Sequence, residues 1–141
     1  MPLFSRKSKP VKMQSLDELK PMIESGKPVL LDFMQVNCRS CKIMDGIVNE
    51  LAEDYGESAH IVKVDVGVVP GAAQAFQIRS TPTFMVLTNT PPKVSKKAAK
   101  RAKDRPKGRQ NPLAPRWRST GLVKKDQFQR VLEREGAVRA P

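Results

Sequence analysis

The chain contains no long hydrophobic run, and this absence narrows the classes of protein to which it can belong. No apolar stretch approaches the roughly 20 residues that a membrane-spanning helix needs. The first 12 residues include basic side chains but lack the apolar centre of a secretory signal peptide. The length of 141 residues suits one domain with a substantial core. We therefore expect a soluble, cytoplasmic protein with no membrane span.

Cysteine and histidine are also scarce, which argues against a metal centre. The candidate soft ligands are Cys38, Cys41 and His60. A structural zinc ion needs four ligands, so such a site within one chain is not favoured, and a metal bridged by two chains ranks little higher. We predict no metal and no other cofactor. His60 is interpreted as a surface residue at the start of a strand, because nothing nearby marks it as a base.

The net charge of +12 is unevenly distributed along the chain. Residues 1–14 carry four basic side chains and no acidic one, and residues 89–118 carry eleven basic side chains against Asp104 alone. Residues 15–88, by contrast, carry six basic and ten acidic side chains. The basic charge is thus concentrated in residues 1–14 and 89–118. A partner that binds these two segments need not contact the core.

Hydrophobic spacing predicts an alternation of strands and helices. Ser15 and Glu18 have the spacing of a capping box at a helix start. The apolar run Val29–Met34 predicts a strand buried on both faces, and apolar residues three and four apart from Cys38 to Tyr55 predict the longest helix. Further strands are predicted at residues 60–66, 83–88 and 116–120, and further helices at 15–25, at 70–76 with Pro70 as first residue, and at 124–135. This order indicates an α/β fold.

Three segments are set apart from the domain, which we place at residues 15–136. Residues 1–14 are predicted to be a flexible basic tail, with a very short mitochondrial targeting segment as a less favoured interpretation, and residues 137–141 a second tail. Residues 89–115 read as an insertion with five prolines and too little apolar surface to fold alone. The part between Lys93 and Arg109 is predicted to bind a polyanion or an acidic protein weakly, or to be merely a solubilising loop.

Cys38 and Cys41 stand at the predicted start of the longest helix, separated by two residues. Unpaired N–H groups at a helix N-terminus stabilise a thiolate, and Arg39 adds a positive charge nearby. Cys38 could therefore attack a disulfide, and Cys41 could resolve the mixed disulfide. A purely structural disulfide at this spacing would add little stability, because it closes a very small loop. Asp32 is anomalous within an apolar strand: either it is buried and paired or protonated, or it lies at a solvated strand end.

Three motifs together resemble the thioredoxin family: LLDFMQVNCRSCK at residues 30–42, VKVDVGVVPGAAQAFQIRSTPTF at 62–84 and STGLVKKDQFQRVLE at 119–133. The resemblance is collinear and covers most of the chain. It implies a thioredoxin-like fold, with a central mixed β-sheet flanked by helices and the basic insertion placed before the last strand.

The resemblance also implies roles for individual residues. Cys38 matches the attacking cysteine and Cys41 the resolving one, and the two form the redox disulfide. Asp32 matches the buried aspartate that accepts a proton from the resolving cysteine, and Lys63 matches the lysine that tunes this aspartate.

A second group of residues is implied in substrate binding. Pro82 matches a proline that is cis in the family, the backbone of Thr81 would pair with a substrate strand, and Gly121 matches a glycine that lets the substrate approach. Asn37 and Arg39 border the cysteines and are expected to contact the substrate.

The sequence departs from the usual family pattern beside and between the cysteines. Asn37 replaces a tryptophan, and Arg39-Ser40 replaces a Gly-Pro pair. Met34 stands where a second tryptophan is usual, and Gly46 where a proline kinks the helix. An added cation should stabilise the thiolate, and a more stable thiolate makes a more oxidising couple.

The favoured function is that of a thiol–disulfide oxidoreductase acting on protein disulfides, a monomer recycled by an electron donor resembling thioredoxin reductase. The alternative is a redox-gated or non-catalytic adaptor that docks on nucleic acid, a ribosome or an acidic partner through the basic insertion.

Overall fold

The computed structural model of the chain describes residues 8–89 and 115–141. In this part, strands and helices alternate along the sequence. The strands are β1 (Val11–Lys12), β2 (Val29–Met34), β3 (His60–Asp65), β4 (Thr83–Leu87) and β5 (Trp117–Thr120). The α-helices are α1 (Leu19–Glu24), α2 (Arg39–Tyr55), α3 (Ala72–Ala75) and α4 (Lys125–Arg134), and a 3₁₀ turn at Leu16–Glu18 leads into α1.

The strands form one mixed sheet in the order β1-β3-β2-β4-β5. β3 runs parallel to both β1 and β2, whereas β4 runs antiparallel to both β2 and β5. β2 lies in the centre, which explains its apolar sequence, since five of its six residues are buried. The α2 helix provides the crossover that two adjacent parallel strands require. This architecture confirms the predicted α/β class and the mixed sheet flanked by helices.

Successive residues of β2 point to opposite faces of the sheet, and each face has its own hydrophobic core. Leu30 packs into the core beneath α2 and α4, together with Met44, Phe84 and Phe128. Leu31 belongs to the opposite core, which α1 and α3 cover. By this alternation Asp32 shares the face of Leu30, so the carboxyl group lies beneath α2, the helix that begins at the cysteines.

Local sequence signals account for several boundaries. Ser15 caps the first helical turn, and Glu18 completes the predicted capping box by accepting hydrogen bonds from the backbone N–H groups of Gln14 and Ser15. The prediction for the short third helix was wrong at its start. Pro70 is not its first residue, because the helix begins at Ala72 after Gly71, whose φ of 75° is a left-handed conformation suited to glycine.

The predicted tails need correction where the structure describes them. Val11 and Lys12 form β1 by pairing with Val62 and Lys63, and the following Met13 is buried. Edge-strand pairing uses backbone hydrogen bonds, so two residues can join a sheet without any apolar periodicity. Residues 137–141 are also docked, because Ala137 is buried and the backbone N–H of Ala140 donates to the carbonyl of Asp54 at 2.6 Å.

Residues 90–114 separate β4 from β5 in the sequence, which is where the insertion was predicted. The binding prediction for the stretch between Lys93 and Arg109 therefore falls outside the described residues. Among the helices of the described part, none is both long and apolar enough to cross a membrane.

Candidate active site

Cys38 and Cys41 are joined by a disulfide at the start of α2. Cys38 is the N-cap residue, and its Sγ accepts a hydrogen bond from the backbone N–H of Cys41 at 3.1 Å. The unpaired backbone N–H groups at the start of a helix favour a sulfur atom at this position. They stabilise a negatively charged thiolate more strongly than a neutral sulfur. Cys38 is partly exposed whereas Cys41 is 3% exposed, so an incoming molecule can reach Cys38 first.

One loop from the antiparallel side of the sheet lies against this disulfide, and a second loop is hydrogen-bonded to the first. The peptide bond between Thr81 and Pro82 is cis, and the carbonyl oxygen of Thr81 lies 3.4 Å from Cys38 Sγ. The backbone N–H of Gly121 donates to the carbonyl of Pro82 at 2.9 Å. Gly121 has a φ of 88°, a conformation that favours glycine. The structure thus brings together the three sequence segments that the motifs singled out.

Asp32 is a buried carboxylate on β2, with 1% of its surface exposed. Within the described residues, its Oδ1 has no hydrogen-bond partner. Burial raises the pKa of Asp32 from 3.8 to about 7, the charge of Lys63 acts to lower this pKa, and the charge of Asp45 raises it further. A carboxyl group with this pKa can both accept and release a proton near neutral pH.

Lys63 lies beside Asp32 in the paired strands, but its ammonium group is engaged elsewhere. Asp32 and Lys63 are register partners across β2 and β3, and Lys63 Nζ forms an ion pair with Asp45 Oδ1 at 3.0 Å. Asp45 did not figure in the sequence analysis. Its signal was its spacing, because it lies one helical turn after Cys41 on the same face of α2.

The remaining residues predicted to border the site are on its surface. Asn37 and Arg39 flank Cys38 in the sequence, and both are exposed.

His60 begins β3, at the opposite end of that strand from Asp65, and its Nε2 lies 3.0 Å from Ser25 Oγ. Burial lowers the pKa of His60, with a further contribution from the charge of Lys27. In residues 8–89 and 115–141, no group of three or more His, Cys, Asp or Glu side chains is arranged to hold a metal ion.

The sequence model of the thioredoxin family matches residues 10–106 of the chain, well over half of it. The chain belongs to the thioredoxin family. It is 36% identical over 85 residues to thioredoxin Y2, chloroplastic, from Arabidopsis thaliana, an alignment that covers 60% of this chain and 50% of that protein. It is 37% identical over 65 residues to thioredoxin 1 from Synechococcus elongatus, covering 46% and 61% respectively. The chain thus spans about half to three fifths of the length of these curated relatives.

The fold agrees with this assignment. A mutant thioredoxin from Halobacterium salinarum NRC-1 superposes with a TM-score of 0.68 at 20% identity, covering 98% of this chain and 99% of that one. The predicted membership of the thioredoxin family and the predicted thioredoxin-like fold are both confirmed.

The site of this thioredoxin-family chain keeps the family's pair of cysteines but has its own residues around them. Arg39 and Ser40 form the first turn of α2 between the cysteines, and Met34 is half-buried at the end of β2. Gly46 lies within α2, which runs without interruption from Arg39 to Tyr55. A Cβ atom built on Gly46 would meet no atom within 4 Å, so neighbouring packing does not require glycine there.

Proposed function

We propose that this chain is a thiol–disulfide oxidoreductase that exchanges disulfides with protein substrates through Cys38 and Cys41. The observation that carries the proposal is the position of the Cys38–Cys41 disulfide. It lies at a helix N-terminus, against the loop that contains Thr81, with Cys38 partly exposed and Cys41 buried. A thiolate at the accessible position is stabilised by backbone N–H groups and can attack a disulfide in line.

The exchange proceeds in two balanced steps when the pair is reduced. The thiolate of Cys38 attacks one sulfur of the substrate disulfide, forming a mixed disulfide and releasing the other substrate sulfur as a thiolate. Cys41 then loses its proton and attacks Cys38 Sγ, which forms the Cys38–Cys41 disulfide and releases the second substrate thiolate. Two electrons pass from the chain to the substrate, and each released thiolate takes up a proton near neutral pH.

Asp32 is the proposed acceptor of the proton from Cys41. Asp32 on β2 and Cys41 on α2 are both buried. A pKa of about 7 leaves a substantial fraction of Asp32 ionised at neutral pH, so the carboxylate is ready to accept the proton. Lys63 is proposed to tune this acidity, since its charge opposes the effect of burial.

Substrate binding is assigned to the segments around Cys38. The backbone of Thr81 is proposed to pair with an extended substrate strand, with Pro82 fixing the loop and Gly121 leaving room for the approach. Asn37 and Arg39 are proposed to contact the substrate on the helix side of Cys38.

The physiological setting is proposed from the chemistry of the pair. A reductase resembling thioredoxin reductase would return electrons to the Cys38–Cys41 disulfide, and the chain would act as a monomer in electron transfer and redox homeostasis. We propose a cytoplasmic location, since cytosolic reductants keep such pairs reduced. Imaging of the full-length protein in its native cell tests this location, and accumulation in an organelle would overturn it.

Reduction of insulin disulfides by the dithiothreitol-reduced protein tests the proposed activity. Cys38→Ser should abolish catalysis, and Cys41→Ser should trap a mixed disulfide with the substrate, visible by mass spectrometry. Full activity of the Cys38→Ser protein would refute the proposal. The reduction potential sets the direction: a value near about −270 mV supports a reductase, and one above about −200 mV an oxidant or isomerase.

A further inference from the structure

Three sequence segments at Cys38 carry side-chain charge of only one sign, and Asp45 and Asp65 lie beyond them in the cleft that Val36 borders. We define the site face as residues 36–43, which hold the disulfide, residues 79–82, which lie against it, and residues 120–124, whose Gly121 is hydrogen-bonded to Pro82. It contains four basic side chains and no acidic one: Arg39, Lys42, Arg79 and Lys124. The described residues together hold 15 lysines and arginines and 13 aspartates and glutamates. Among the described residues outside the site face, 11 basic side chains remain against 13 acidic ones, so within this part of the chain the face is a local excess of positive charge.

These four cations are available to a partner. All four are exposed, and within the described residues none of them forms an ion pair with a carboxylate. Three cations outside the site face form ion pairs instead. Lys63 pairs with Asp45, Lys125 with Glu50 and Asp54, and Arg116 with Glu135. The distribution of ion pairs thus leaves unpaired positive charge around the disulfide.

Exposed apolar side chains occur in two of the segments that carry these cations. Val36, Ile43 and Leu122 are 66%, 59% and 64% exposed, and each belongs to one of the segments of the site face. The site face contains no aromatic residue, so it offers no platform on which the bases of a single-stranded nucleic acid could stack. Cations interleaved with aliphatic side chains suit a protein segment that is acidic and partly apolar.

We propose that the site face selects protein disulfides flanked by acidic residues, with Lys42 in the first turns of α2 and Arg79 in the loop before Thr81 as specificity-determining residues. This inference rests on the proposed function, because it names the substrate class of the same site. Arg39 contributes charge as well, but it lies between the cysteines and would also change their reactivity. Lys42 and Arg79 separate the two effects, since neither lies between the cysteines.

The test measures the second-order rate constant with which three peptide disulfides oxidise the reduced full-length protein. The peptides are identical except that glutamate, glutamine or lysine flanks the disulfide. We expect the order glutamate, glutamine, lysine, with the glutamate peptide about fivefold faster than the glutamine peptide at low salt, the effect of two exposed ion pairs of ordinary strength. The difference should nearly vanish at 1 M salt, where the Debye length is about 3 Å.

Two double variants of equal net charge locate the effect. Lys42→Gln with Arg79→Gln should reduce the glutamate-to-glutamine ratio to below about twofold, since two of the ion pairs are lost. Lys20→Gln with Lys27→Gln removes the same charge from exposed positions outside the site face, and should leave the ratio at the wild-type value. An equal decrease in both variants would overturn the proposal, because it would assign the preference to the charge of the whole chain.

Other outcomes are separable. Equal rates for the three peptides would refute the acidic preference while leaving the oxidoreductase activity intact, whereas no reaction with any of them, or with insulin, would refute the proposed function itself. A glutamate peptide without cysteine should inhibit reduction competitively. Stronger inhibition by an oligothymidylate of the same charge would overturn the proposal in favour of a nucleic-acid surface.

Discussion

Replacing Asp32 with asparagine should stabilise the protein, and the gain should grow with pH. The pKa of Asp32 is raised from 3.8 to about 7 chiefly by burial, so the folded state binds this proton more tightly than the unfolded state. Between pH 3.8 and about pH 7, Asp32 is largely deprotonated in the unfolded chain but still protonated in the folded protein. The free energy of unfolding therefore falls as the pH rises. Asparagine does not ionise, so the variant escapes this loss.

The size of the effect follows from the two pKa values. The penalty from Asp32 should be about 2 kcal/mol at pH 5 and about 4 kcal/mol at pH 8, so the advantage of Asp32→Asn should increase by about 2–3 kcal/mol over this interval. Below about pH 4 the contribution of Asp32 ionisation to the free energy of unfolding should be small. Asp32 is then protonated in the folded state and increasingly protonated in the unfolded state. The pH dependence is more informative than the absolute gain, since the buried amide has its own cost at every pH.

Urea unfolding of the oxidised wild type and variant at pH 5, 6, 7 and 8 provides the measurement. The disulfide is kept intact so that neither Cys38 nor Cys41 titrates. Asp17→Asn is the matched control, because it makes the same chemical change at an exposed position. A constant difference between Asp32→Asn and wild type from pH 5 to pH 8 would refute the reasoning, since it would mean that Asp32 ionises without penalty.

Three further predictions concern other positions. Asp45→Asn should lower the pKa of Asp32 and Lys63→Met should raise it, which a carbon-13 NMR titration of the Asp32 carboxyl group would show; shifts in the same direction would contradict the assigned charges. Gly46→Ala should stabilise the protein by about 1 kcal/mol in urea unfolding, because alanine favours the helix and its Cβ would meet no atom within 4 Å. Gly71→Ala should destabilise it by about 1 kcal/mol, because the space around its Cβ is also free but the φ of 75° strains alanine. Arg118→Ala should cost about 1–2 kcal/mol of unfolding free energy, because Arg118 donates to the carbonyls of Phe76 and Gln77 at 2.9 Å; an unchanged stability would show that water replaces these bonds.

The regular elements were predictable because their signals are local. The apolar spacing from Cys38 to Tyr55 and the capping box at Ser15 depend on residues within a few positions of one another, and both predictions agree with the structure within one or two residues. The apolar neighbours of Asp32 in β2 left two alternatives, burial or a solvated strand end, and the structure shows burial. The resemblance supplied Pro82, whose cis peptide bond no local pattern of this sequence would reveal.

The missed features depend on contacts between distant parts of the chain. Asp45 meets Lys63 across 18 positions, and neither residue has a local pattern that names the other. β1 exists because the backbone of Val11 and Lys12 finds the free edge of β3, 51 positions away, and edge pairing leaves little mark on side-chain composition. The docking of Ala140 onto the end of α2 likewise uses a backbone hydrogen bond.

Proton transfer and substrate selection should be independent in this protein, because they use residues in different environments. Asp32 is buried beneath α2, whereas Lys42 and Arg79 are exposed on the site face, where salt screens them. Effects of separated residues without shared partners usually add. Asp32→Asn should therefore slow all three peptide disulfides by the same factor, while Lys42→Gln with Arg79→Gln should change their relative rates without moving the pH at which the rate is half-maximal. If Asp32→Asn changed the glutamate-to-glutamine ratio, the surface charges would have to act through the buried carboxylate, and the two functions could not be separated.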